Sequence, residues 1–300
     1  MMKRLQHWIE YIALVLVIQL VRFLPWRSLY ALGGGLGWLT FHVARIRRDV
    51  TLENLRNAFP DRDEALVQHI ALQTYQQMGR TSMEFMKLGT VSQDSVIQRC
   101  DLIGREVLEE VLRKGKGALL LTGHFGNWEM YGSLLAYLGY PFSCIAAEQK
   151  NKLTDQVINR IRIRSGAAVI PLGTAIRGVI RNLRENRFVA IVADQDAGRD
   201  GIFVEFFGRP SSTSPGPAAL ALKTGASIVF GYAVRQPDGR LRCMLEPFPI
   251  PELDLPQSEL EKQILQTYAT RLEAIIRQYP DHWFWMHKRW KTKPPDKQQG

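Results

Sequence analysis

The chain has 300 residues, 46% hydrophobic and 23% charged, with 39 Lys and Arg against 29 Asp and Glu, a formal charge of +10 and a pI near 9.6. That is the make-up of a folded globular chain with a sizeable core and no low-complexity tract, and its positive excess favours an anionic partner: nucleic acid, an anionic membrane or a phosphorylated ligand. Cys100, Cys144 and Cys243 lie far apart with no C-x-x-C spacing, which argues against a disulfide framework or zinc ribbon and fits a reducing compartment.

The first element is an apolar stretch, residues 8–26 (WIEYIALVLVIQLVRFLPW), with aromatics at both ends as at a membrane interface. Glu10, Gln19 and Arg22 interrupt it, leaving a clean core shorter than the roughly 20 residues of a full span. It predicts a short tilted span or a helix lying partly in one leaflet. The Phe-Leu-Pro-Trp-Arg that follows is not the small-x-small site of a cleavable signal peptide. A second apolar stretch, SLYALGGGLGWLTFHVARIRR, ends in Arg45, Arg47 and Arg48, a basic cluster suited to the cytoplasmic side and anionic headgroups. Residues 1–48 are therefore expected to be membrane-anchoring helices, and residues 49–300 an α/β domain; a buried helical hairpin is the competing structure for the first segment.

Two helices follow, DVTLENLRNAFPD and DEALVQHIALQTYQQMGRTSMEFMKL, the second with an acidic first turn and Leu66, Ile70, Tyr75 and Met78 along one face. From about Val96, helical segments such as VLEEVLRKGK, NWEMYGSLLAYLG, NKLTDQVINRIRIRSG and TAIRGVIRNLREN alternate with the apolar runs GALLLT, FSCIAA, AVIPL and RFVAIVAD. This alternation predicts an α/β fold with a mainly parallel central sheet flanked by helices on both faces. GASIVFGYAVRQPDGRLRCMLEPF reads as a hairpin turning at Pro237-Asp238-Gly239, and QSELEKQILQTYATRLEAIIRQYP as a long helix before a basic aromatic tail.

TGHFGNWE places His124 beyond the carboxyl end of the strand GALLLT, where open α/β sheets bind ligands. Asn127 suits the N-cap of the next helix, which puts Glu129 in its first turn, at the positive end of the helix dipole. On one continuous helix a spacing of five would set His124 and Glu129 about 140° apart. His124 is thus expected on the loop, folded back over the helix start. There Glu129 accepts from one imidazole nitrogen and leaves the other as a base, a triad short of its nucleophile, for which a substrate hydroxyl can stand. Gly123 and Gly126 leave room for a ligand to approach loop amides that point at the opening. The H-x-x-x-x-E spacing carries little information alone, and a satisfied turn histidine gives the same letters. The chain has no G-x-S-x-G, H-E-x-x-H, G-x-x-x-x-G-K-[ST] or G-x-G-x-x-G, and its other histidines form no ligand pair around His124, so no metal is expected.

Taken with ADQDAGRDGIFVEFFGRPSSTSPGPAALALKTGASIV and YPDHWFWMHKRWKTKP, the His124 segment resembles the bacterial lipid A biosynthesis (late) acyltransferases, within the lysophospholipid acyltransferase superfamily. The resemblance runs from the N-terminal apolar stretch to about Pro295. It implies an enzyme of the inner membrane, facing the cytoplasm, that moves a fatty acyl group from an acyl-carrier-protein thioester to a hydroxyl of a lipid A precursor, with no cofactor besides that donor. It further implies that His124 and Glu129 are the catalytic pair, that Asp194 and Gln195 belong to the site, and that Arg164, or else Arg162, is its basic residue. A related branch that acylates phosphatidylinositol mannosides from acyl-CoA is the alternative. In the implied mechanism His124 deprotonates the acceptor, Glu129 stabilises the imidazolium, and loop amides or Arg164 meet the oxyanion.

The residues add their own expectations. Asp194 and Gln195 follow FVAIVA at another strand's carboxyl end and so border the same cleft, as substrate contacts or as loop caps. Gly208-Arg209-Pro210 and Ser211-Ser212-Thr213 can make a polar rim for sugar or phosphate, with Arg209 as a phosphate ligand or a solvated surface residue. HWFWMHKRWK, residues 282–291, interleaves aromatics with cations, which beside this N-terminus suits headgroup contact better than nucleic-acid stacking. Packing of Trp283 and Trp285 on the core is the structural alternative. Expected partners are acyl carrier protein or acyl-CoA, a phosphorylated glycolipid and a membrane surface, but not nucleic acid. The same base acting on water would make a thioesterase, and a protein that only binds lipid or polyanion is the non-catalytic alternative.

Overall fold

The structure, a computed structural model, describes residues 2–250 and 254–295. Five α-helices come first: α1 (Met2–Phe23), α2 (Trp26–Leu39), α3 (Arg48–Ala58), α4 (Glu64–Leu88) and α5 (Gln93–Ile97). The α/β part then runs β1 (Cys100–Ile103), α6 (Arg105–Arg113), β2 (Ala118–Thr122), α7 (Trp128–Tyr137), β3 (Phe142–Ala146), α8 (Lys152–Arg164), β4 (Ala168–Pro171), α9 (Ala175–Arg184) and β5 (Phe188–Val192). A two-stranded hairpin, β6 (Ile202–Phe206) and β7 (Arg209–Thr213), precedes α10 (Gly216–Thr224), β8 (Ser227–Arg235), β9 (Leu241–Phe248) and α11 (Gln257–Gln278).

Seven strands form one sheet in the order β1-β9-β8-β2-β5-β3-β4. Strands β8, β2, β5, β3 and β4 run parallel, while β9 turns back antiparallel to β8 and carries β1 beside it. Residues Ala118–Thr122 are buried throughout, as an unbroken apolar run in mid-sheet must be when helices cover both faces. Helices α7 and α8 pack their buried residues on one face, whereas α9, α10 and α11 contribute theirs to the other. The parallel sheet, its flanking helices and the Pro237-Asp238-Gly239 hairpin agree with the sequence. The β6–β7 hairpin was not foreseen: its turn residues Phe207 and Gly208 both have positive φ, 54° and 67°, and a phenylalanine at a left-handed position is a poor sequence signal for a turn.

The N-terminal helices pack tightly on this body. A Cβ on Gly79 of α4 would lie 2.0 Å from the Gly33 carbonyl oxygen of α2, and one on Gly37 would lie 2.2 Å from the Tyr75 oxygen. The glycines of α2 thus permit backbone contact with α4. Helix α1 is held at both ends: Asn151 donates to the His7 carbonyl at 2.9 Å and to Glu10 at 2.8 Å. The Lys87 ammonium caps the other end, donating to the carbonyls of Val21, Arg22 and Leu24 at 2.9, 3.2 and 2.8 Å. A cation there completes carbonyls that a helix C-terminus leaves without partners.

Candidate active site

The site follows from strand order. Strands β2 and β5 are parallel neighbours with Thr122 opposite Val192, so the second residues beyond each strand, His124 and Asp194, emerge side by side. His124 Nδ1 lies 2.7 Å from Asp194 Oδ1. Asp194 Oδ2 accepts from the His124 backbone N–H at 2.8 Å and from the Trp283 indole at 2.7 Å. The carboxylate is buried, and burial alone would raise its pKa. The charge and hydrogen bonds of His124, with the Trp283 bond, outweigh that and hold the pKa below the ordinary aspartate value. For His124, burial disfavours the imidazolium, but the Asp194 charge and hydrogen bond, with a smaller contribution from Glu129, raise its pKa above the ordinary value. An ionised acceptor at Nδ1 makes that nitrogen the donor and leaves Nε2 as the basic one.

His124 lines a cavity of about 790 Å³. Gly132, Phe142, Cys144, Ala167, Ala190 and Leu220 give it an apolar interior, while Gln149, Leu172 and Ile176 stand at its exposed side. Burial lifts the Cys144 thiol to about 11, so it stays protonated near neutrality. Trp128 packs edge-on to the His124 ring with centroids 5.0 Å apart.

Glu129 does not hold the imidazole. It lines the cavity, but Arg162 binds it through two bonds, Nη2 to Oε1 at 2.5 Å and Nε to Oε2 at 3.1 Å. Asp194 takes the orienting place at Nδ1, because β5 lies directly beside β2 and brings its carboxylate under the loop. The basic residue of α8 in the cavity is Arg162; Arg164 is exposed and outside the lining. Two positions on a helix turn the side chain by about 200°, which separates them.

Gly123 and Asn127 also serve the protein. A Cβ on Gly123 would meet Leu272 at 3.0 Å and Asp194 at 3.1 Å, and one on Gly126, at φ +59°, would lie 1.8 Å from the Ala233 oxygen. These glycines admit neighbouring protein atoms, not a ligand. Asn127 caps α7, accepting from the Met130 N–H at 2.9 Å, and its amide donates to buried Glu84 at 2.6 Å. Three of the loop amides are occupied too: His124 N–H binds Asp194, Phe125 N–H the Gly123 oxygen at 2.7 Å, and Gly126 N–H the His282 oxygen at 2.8 Å. Gln195 lines the cavity beside Asp196 and Ala197.

The expected polar rim is absent at Ser211, Ser212 and Thr213, which are all fully buried. Arg209 stacks its guanidinium 5.2 Å above Trp290, away from the cavity lining. Ser214, Pro215 and Gly216 form that wall instead.

The tail is structural, as Trp283, Trp285 and Trp290 are buried. It runs antiparallel beside the His124 loop, with Phe125 bridged to Trp283 and the Phe284 N–H donating to the His124 carbonyl at 3.0 Å. Buried Arg289 then ties the Gln195 carbonyl (3.2 Å) to the Ser212 carbonyl and to Thr213 Oγ1 (2.6 Å). Trp283 and Arg289 are thus the site-supporting residues that the sequence left unassigned; the letters HWFW and KRW alone do not distinguish burial from interface. Among the described residues no three His, Cys, Asp or Glu side chains are grouped to hold a metal ion.

Comparison with known proteins matches the chain to acyltransferases. Residues 1–292 match the family described as bacterial lipid A biosynthesis acyltransferase. The chain is 26% identical to the lipid A biosynthesis lauroyltransferase of Escherichia coli K12, over 96% of this chain and 93% of that protein. It is 25% identical to that organism's lipid A biosynthesis palmitoleoyltransferase, over 90% and 87% of the two chains. A phosphatidylinositol mannoside acyltransferase of Mycolicibacterium smegmatis is 30% identical, over 69% of this chain and 67% of its own. The chain belongs to the bacterial lipid A biosynthesis acyltransferase family and is an acyltransferase.

Proposed function

We propose that this is a membrane-attached O-acyltransferase that moves a fatty acyl chain from an acyl-carrier-protein thioester to a hydroxyl of a phosphorylated lipid A precursor. The observation that carries the reading is an imidazole fixed at Nδ1 by Asp194, with Nε2 left to an apolar cavity of about 790 Å³. The fatty chain occupies the apolar interior with its carbonyl beside His124. Nε2 takes the proton of the acceptor hydroxyl as its oxygen attacks the thioester carbon. The tetrahedral intermediate then expels the thiolate, which recovers the proton from the imidazolium. With the amides of His124, Phe125 and Gly126 committed to protein acceptors, Arg162 is the cation on the cavity wall for the oxyanion, and Glu129 fixes its position. The attacking oxygen belongs to the acceptor, so the enzyme supplies no nucleophile and transfer proceeds in a ternary complex.

Membrane attachment rests on α1. Its Lys3–Phe23 stretch is long and apolar enough to cross a bilayer, and only 6% of the apolar window is buried by the rest of the protein. Leu5, Ile9, Ile12, Leu16, Leu20 and Phe23 are exposed along it, at spacings that share one broad face. Arg45 and Arg47 are exposed just past α2 and suit anionic headgroups on the cytoplasmic side of the inner membrane.

The similarity to a phosphatidylinositol mannoside acyltransferase supports a second acceptor class, and acyl-CoA is the alternative donor. Purified protein incubated with each acceptor and each donor, followed by product masses, separates the two. One acyl unit added to the lipid A precursor from the carrier is the expected result. Thioester loss at equal rate with and without acceptor would show a hydrolase and overturn the proposal.

A further inference from the structure

The charge of +10 includes one ordered group that catalysis does not use. Helix α9 begins at the cavity, which Ala175 and Ile176 line, with exposed Leu172 just before it. Along the helix follow Arg177, Arg181 and Arg184, spaced four and three apart and therefore within an arc of about 60°. Val179 and Leu183 are the buried side, and the three arginines are exposed. At its far end α9 opens on a second cleft, of about 440 Å³, lined by Lys116, Arg184 and Lys223.

Among the described residues none of these cations takes part in an ion pair. Like charges at such spacings repel along a helix. Helix α6 avoids this by interleaving partners, Arg105 with Glu109 and Lys114 with Glu110. No such interleaving occurs on α9, so its stripe remains a free positive track leading from the mouth of the cavity.

We propose that this track, Arg177, Arg181 and Arg184 with Lys116 and Lys223, docks an acidic acyl carrier protein and aims its thioester arm past Leu172 and Ile176 into the cavity. The proposal rests on the carrier-thioester reading of the donor. Charge complementarity selects the occupant, since acyl carrier proteins are small and acidic and present an acidic helix beside the prosthetic arm. Position excludes the bilayer as first choice: α9 packs on the sheet face opposite α8, and it is against α8 that the exposed apolar α1 lies. Charges of this kind govern encounter and salt dependence more than the chemical step.

The test compares two donors that share a thioester, acyl carrier protein and acyl-pantetheine, with the triple variant Arg177→Glu, Arg181→Glu, Arg184→Glu. The KM for the carrier is expected to rise roughly tenfold or more with kcat little changed, and its salt dependence to flatten. Kinetics with acyl-pantetheine should stay as in the wild type. Lys116→Glu with Lys223→Glu, which leaves α9 intact, should give a smaller rise in the same KM and serves if the triple variant does not fold. Equal losses with both donors, or an unchanged carrier KM, overturn the proposal. So does lost binding to anionic vesicles at unchanged carrier KM, which would assign the stripe to lipid. A wild-type enzyme that uses acyl-pantetheine and acyl-CoA but ignores the carrier defeats the donor reading itself, before any variant is made.

Discussion

In the proposed mechanism His124 and Asp194 share one proton-handling task, and their substitutions should differ in kind. His124→Ala removes the base, so transfer should fall by about 10²–10⁴-fold. It also takes the Nδ1 partner from the buried Asp194 carboxylate, so the variant should still fold but be less stable by about 1.5–3 kcal/mol. Wild-type rates in that variant would end the proposed mechanism. Asp194→Asn withdraws the charge that raises the His124 pKa. The base works deprotonated, so wild-type kcat/KM should climb with pH along a limb centred above the usual histidine value of about 6.5. In Asp194→Asn the limb should move to lower pH while the plateau drops. Trp283→Phe keeps the aromatic bulk but takes one hydrogen bond from a buried carboxylate, at a cost of about 1.5–3 kcal/mol. The sign of its pH effect follows from linkage. Asp194 has a depressed folded pKa, so it stabilises the fold above its unfolded pKa and loses that contribution as pH falls through the folded value. With the indole bond gone the folded pKa moves back up, so acid unfolding followed by circular dichroism should begin at higher pH.

At the scale of elements, much of the arrangement was legible and its crossings were not. The run Leu119-Leu120-Leu121 marks a buried strand, and Asn127 marks the start of α7, because both signals are local. The Asp194 bond to His124 spans 70 residues and depends on β5 lying beside β2, which no local pattern fixes. The expected bond from the imidazole to Glu129 fails for the same reason: the partner of Glu129 is Arg162 of α8, 33 residues away. The aromatic tail left two readings open, because interleaved Trp and Arg look alike whether they face headgroups or, like Trp283 and Arg289, support the His124 loop from beneath; the structure takes core packing. A further long-range link sets the start of α7. Buried Glu84 of α4 accepts from the Asn127 amide and, through both oxygens, from Arg235 of β8 at 2.6 and 2.5 Å. Glu84→Ala should destabilise the protein by about 3–5 kcal/mol by stranding a buried guanidinium, a loss measurable by denaturant titration. Pairing that change with Arg235→Met should recover much of the loss in stability. Activity should recover less, because Asn127 still lacks its acceptor.

For the whole molecule, the question is how a body with its cavity at the carboxyl ends of central strands meets a lipid. The two ends of α1 are tied to the same body, by Asn151 at His7 and Glu10 and by Lys87 at Val21, Arg22 and Leu24. A helix crossing the bilayer would have to give up one of these ties or draw α8 and α4 into the hydrocarbon, where their charged residues are costly. The arrangement therefore favours α1 lying in the interface plane, its exposed Leu5, Ile9, Ile12, Leu16 and Leu20 among the acyl chains. Each large apolar side chain so buried contributes about 1.5–3 kcal/mol, so Ile12→Glu with Leu16→Glu should lower vesicle binding by at least 10²-fold while the body stays folded. Topology gives the sharper check. An epitope placed before Met1 should be reached by protease from the cytoplasmic face, in inverted vesicles, and shielded in intact spheroplasts. Cleavage in spheroplasts instead would mean that α1 spans the membrane and that the contacts of Asn151 with His7 and Glu10 are broken there.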